Sequence, residues 1–93
     1  HHITGPDEYL ERFHSELGLP PTVLGDARDL WIRIKDNLSW QGKKPSGVAG
    51  VILYFVSQNS DSTRTQKEVC DVCGISEVTL RGLLKILNNM VVE

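Results

Sequence analysis

From Pro45 to Ser57 the chain reads PSGVAGVILYFVS, with no charged residue and no consistent polar side. A helix written this way has no face to offer to water, so other elements must surround it. The run is also too short to cross a bilayer, which takes about 20 apolar residues. Its neighbours must therefore be protein. Pro45 suits the first helical position, where its missing N–H would be unpaired anyway. Gly47, Ala49 and Gly50 leave room for neighbouring backbones to come close. The expectation is a central helix wrapped by others.

Four further segments carry apolar residues at helical spacing. The first runs from about Asp7 to Leu17, with Leu10, Phe13 and Leu17 on one stripe and Asp7 and Glu8 favouring its positive N-terminus. Gly18 and the Pro20-Pro21 pair close it. A second helix is expected from Thr22, acting as N-cap, to Leu38, turning Val23, Ala27, Leu30, Trp31, Ile34 and Leu38 inward. A turn at Gln41-Gly42 leads into the third helix. Gln58 to Arg64 is a polar loop. Thr65, with Glu68 three residues on, forms the reciprocal capping box of a fourth helix that ends at Gly74. Ser76 caps a fifth, reaching about Met90, with Leu80, Leu83, Leu84 and Leu87 buried. No stretch alternates as a strand would. The fold class is all-α with five helices, read as one domain over residues 7–93. Residues 1–6, beginning His1-His2, read as a tag remnant or linker.

Composition excludes several functions. With 40% apolar and 24% charged residues in 93, the chain is neither disordered nor a membrane protein. Cys70 and Cys73 are too few for a disulfide framework. A structural zinc would need a second ligand pair, and His14 offers none. A thioredoxin-like motif would need a strand before it. Both cysteines therefore read as small core residues, with no metal and no cofactor. The Asp, Glu, His and Ser residues are too scattered for a catalytic set, so no enzyme activity is expected. The net charge of −2 hides an asymmetry: residues 1–40 hold four basic and seven acidic side chains, residues 41–90 six and four. Any polyanion contact belongs to the second half.

That half contains a helix-turn-helix pattern between Gln66 and Lys85. Cys70 is small enough for a close helix crossing, and Gly74 tolerates the left-handed turn. Val69, Cys73, Ile75, Leu80 and Leu83 are apolar where the two helices must meet. The outer face of the second helix then carries Ser76, Glu77, Val78, Arg81, Gly82 and Lys85. In the major groove, Arg81 would pair with a guanine edge and Val78 would pack on a thymine methyl. Lys43, Lys44, Gln66 and Lys67 are positioned to hold phosphates and set the register, with Ser76 and Lys85 beside them.

The stretches GKKPSGVAGVILYFVSQ and RTQKEVCDVCGISEVTLR, together with YLERFHSELGLP, resemble the second cyclin-like repeat of the transcription factor IIB family. The resemblance runs from about Ile3 to Leu87. It implies a five-helix cyclin-like fold whose helix-turn-helix reads double-stranded promoter DNA upstream of the TATA box, beside the TATA-binding protein. The family's base-reading positions match Val78 and Arg81, and its basic turn matches Lys43 and Lys44. RNA polymerase is then reached through the full-length factor, and the repeat itself is expected to be a monomer. The polar wording SQNSDSTRTQKE leans toward a eukaryotic, nuclear member rather than an archaeal one. A cyclin-like module that has lost base contacts and binds another protein is the alternative reading.

Overall fold

The computed structural model describes residues 6–36, 40, 42–58 and 63–91. Among them are five helices and no strand: α1 (Pro6–Leu17), α2 (Pro21–Ile34), α3 (Pro45–Gln58), α4 (Gln66–Cys73) and α5 (Glu77–Val91). The apolar helix α3 packs against each of the other four. Val51, Ile52 and Leu53 have no exposed surface, and even Gly47, Gly50 and Ser57 are buried. Ser57 tolerates this because its hydroxyl donates to the Tyr54 carbonyl one turn back, at 2.9 Å. The remaining helices each supply one stripe to this centre: Leu10 and Phe13 from α1, Val23, Ala27 and Leu30 from α2, Val69 from α4, Leu80 and Leu87 from α5. Each of the larger side chains among these contributes roughly 1.5–3 kcal/mol by leaving water.

The small residues of α3 lie where other helices come nearest. A Cβ added to Gly50 would lie 2.5 Å from the Sγ of Cys73 on α4. One added to Gly47 would meet the Leu83 side chain of α5 at 3.1 Å. Cys70 is buried as expected, and Cys73 lies at a tight approach between α3 and α4.

Two expectations for α2 need correction. Thr22 is not its N-cap: the capping position is Pro20, in extended backbone, with no side-chain cap bond. Pro21 occupies the first helical position instead, where a proline ring presets φ for the helix. At the other end the helix stops at Ile34, short of Leu38, with the Lys35 N–H bonded to the Trp31 carbonyl. Leu38 and Gln41 lie outside the described residues. Trp31 is only half-buried. The large aromatic contribution here is Trp40, 6% exposed, which the sequence pattern does not flag because it stands in a polar connection. Its indole N–H has no hydrogen-bond partner.

Two polar ties hold the periphery. The His14 Nε2–H donates to the Pro20 carbonyl at 2.7 Å across the α1–α2 turn. Arg64, just ahead of α4, donates from Nε to the Leu17 carbonyl at 3.0 Å and from Nη2 to the Gly18 carbonyl at 3.3 Å. A cation at the C-terminal end of α1 also meets its negative pole. This fixes the start of the helix-turn-helix against the opposite end of the chain.

Candidate nucleic-acid interface

Each end of α4 is specified by its own residues. The Thr65 Oγ1 accepts the Glu68 N–H at 3.1 Å, and Glu68 Oε1 accepts the Thr65 N–H at 2.9 Å. That backbone hydrogen bond, together with the Thr65 hydroxyl and nearby Arg64, holds the Glu68 carboxyl below its ordinary pKa. At the other end Gly74 takes a left-handed φ of 73°, and its N–H and that of Ile75 both donate to the Cys70 carbonyl. The chain turns there and restarts at Ser76, whose hydroxyl accepts the Thr79 N–H at 3.2 Å and donates to Thr79 Oγ1 at 2.9 Å. Val69, Leu80 and Leu83 are buried between the helices. This geometry turns the opposite face of α5 to solvent.

Ser76, Glu77, Val78, Arg81, Gly82 and Lys85 are all exposed on that face. Val78 is 76% exposed; the other large exposed hydrophobe among the described residues, Ile32, lies on α2. A lone β-branched side chain held in water has no packing role, whereas it fits contact with an apolar base edge. Arg81 is held from two sides. Its Nε donates to Gln66 Oε1 of α4 at 3.1 Å, and its Nη2 lies 3.7 Å from Glu77 Oε1 one turn back. Sequence reasoning assigned Gln66 to a phosphate and left Glu77 without a role. Their link through Arg81 depends on how α4 and α5 cross, which no spacing within either helix encodes.

Lys43, Lys44 and Ser76 come together around a cleft of about 370 Å³ between the turn before α3 and the start of α5. Thr79, absent from the sequence reading, lines it too. The Ser76 hydroxyl is engaged in capping, so the groups left to meet an anion there are the lysine ammoniums and the unpaired N–H groups of the first turn of α5. Lys67 and Lys85 are exposed on α4 and α5, with Lys85 one turn beyond Arg81. Among the described residues no carboxylate pairs with any of these four lysines, whereas Arg12 and Arg28 are paired with Glu16 and Glu11. On this face Arg81 is paired with Glu77, and the four lysines are not paired with a described carboxylate.

The cysteines take no part in it. Burial pushes the Cys73 thiol up to about 12, with Cys70 and Glu16 adding to the effect, and burial raises Cys70 as well. Both are free thiols, and no cluster of metal-ligating side chains exists among the described residues.

A buried central helix, four helices around it and a helix-turn-helix at the end define a cyclin-like helical repeat. Residues 1–90 match the sequence profile of the transcription factor TFIIB repeat, and the chain belongs to that family. It is 39% identical over 84 residues to the transcription initiation factor IIB of Methanothermococcus thermolithotrophicus, covering 90% of this chain and 25% of the relative. The factors of the same name from Methanopyrus kandleri and Sulfurisphaera tokodaii are 38% and 34% identical over 88% and 91% of the chain. The chain spans about a quarter of the length of these curated relatives.

Proposed function

We propose that this chain is the promoter-reading repeat of a transcription initiation factor, with α4–α5 as its DNA-binding element. The observation that carries the reading is the outer face of α5, where exposed Val78 and a pre-positioned Arg81 stand beside lysines that no described carboxylate neutralises. In this reading α5 enters the major groove, Arg81 pairs with a guanine and Val78 packs on a thymine methyl. Lys43, Lys44, Lys67 and Lys85 hold phosphates on either side and set the register. The whole factor binds beside the TATA-binding protein and brings RNA polymerase to the promoter. It works beside genomic DNA, and its archaeal relatives favour the nucleoid over the nucleus.

The test is selection from duplexes that carry a TATA element with randomised upstream sequence, with and without TATA-binding protein. A guanine preference upstream of the element is expected, and Arg81→Ala should cost about 1–3 kcal/mol at that base pair alone. Absence of any preference in both arms overturns the reading and leaves the protein-interaction module.

A further inference from the structure

We infer that Gln66 is a positioning residue for base recognition, fixing which edge of the Arg81 guanidinium faces the DNA. This rests on the base-reading role of Arg81 proposed above. A free arginine carries five N–H donors on a planar fork, and it can pair in two ways: side-on through Nε and one Nη, or end-on through both Nη groups. Here the Nε donor is taken by Gln66 Oε1 at 3.1 Å, and Glu77 Oε1 stands 3.7 Å from Nη2. The side-on route is closed by a residue of the other helix. The end of the fork, Nη1 with the outer hydrogen of Nη2, is left for a guanine O6/N7 pair.

The two partners are not equivalent. Glu77 lies on the same helix as Arg81 at i−4 and both side chains are largely exposed, so that ion pair is loose and screened. Gln66 is the first residue of α4, set by the Thr65 capping box and by the α4–α5 packing, and is half-buried. It therefore anchors a long, flexible side chain to the rigid element. Arginine loses rotamer freedom when it docks, and restricting it beforehand lowers that cost. A neutral amide achieves this without cancelling the charge that attracts DNA, which a carboxylate at this position would partly do.

Gln66→Leu and Gln66→Glu distinguish positioning from phosphate contact. Gln66 is half-buried at the first position of α4, and thermal melts close to that of the parent chain check that both variants fold. In selection from the randomised duplexes, Gln66→Leu is expected to lower guanine enrichment at the Arg81-dependent base pair about tenfold. Gln66→Glu keeps the acceptor, so it should retain that enrichment while weakening binding to all sequences alike. In the free protein, the Arg81 Nε–H resonance should shift in Gln66→Leu and persist in Gln66→Glu. If Gln66→Leu weakens all duplexes equally with base preference intact, while Arg81→Ala abolishes the preference, Gln66 is a phosphate contact and the inference is overturned. If Arg81→Ala leaves the preference unchanged, base reading by Arg81 fails first and this inference falls with it.

Discussion

Glu68 joins two levels of this structure: its carboxylate closes the capping box of α4, and that bond lowers its own pKa. A carboxyl depressed in the folded state contributes stability that is whole above its unfolded value of 4.5 and is lost as pH falls through the depressed one. Glu68→Ala should therefore melt below the parent chain at pH 6, and the gap should narrow at pH 3. A gap that stays constant across that range would mean the carboxylate charge plays no part in the cap. The capping box was legible because its two residues are three apart on one helix, so the sequence contains the whole motif. Gln66 and Arg81 were legible only as types. Their hydrogen bond spans 15 positions and two elements, so no local pattern in the chain links one to the other.

At the scale of helices, periodicity located all five, because each buries one stripe and α3 buries every side. The errors fell where a side chain's role depends on what precedes it. Thr22 has the chemistry of an N-cap, but the capping position falls two residues earlier, at Pro20, and Pro21 at the first helical position lacks an N–H that would be unpaired there anyway. Trp40 was missed because burial of an isolated aromatic in a connection leaves no periodic trace. Close packing yields a sharper prediction, since identical substitutions should have opposite signs at two glycines. Gly82 on α5 has nothing within 4 Å of an added Cβ, so Gly82→Ala should stabilise by about 1 kcal/mol through helix propensity. Gly50→Ala drives a methyl into Cys73 and should destabilise by about 1–3 kcal/mol. Adding Cys73→Ala to Gly50→Ala removes the obstructing sulfur, and part of the loss should return. Urea titrations measure all three. Equal effects at Gly50 and Gly82 would mean that α3 and α4 are not packed at that distance.

For the whole molecule the decisive property is where charge is left unpaired, and the net value of −2 says little about it. On α1 and α2, acidic side chains take up Arg12 and Arg28, and Arg64 is engaged by the carbonyls that end α1. The exposed lysines near the helix-turn-helix are Lys43 and Lys44 at the cleft and Lys67 and Lys85 on the two helices of the turn motif, with Lys35 lying apart from them at the end of α2. A polyanion responds to this local field, because charges beyond about 10 Å are screened at ordinary salt. Each phosphate neutralised releases condensed counterions, and the slope of log affinity against log salt changes by about 0.9 per contact. The double substitution Lys43→Ala, Lys44→Ala should therefore flatten that slope by up to about 1.8. Both side chains are exposed, so the thermal melt should not move. Base preference should also be kept, since base reading is proposed for Val78 and Arg81 and only phosphate contact for these lysines. Binding titrations at four salt concentrations, on the selected duplex and on a scrambled one, separate these effects. An unchanged slope would remove the cleft from the interface. A flattened slope with altered base preference would mean that the turn before α3 reaches base edges as well as phosphates.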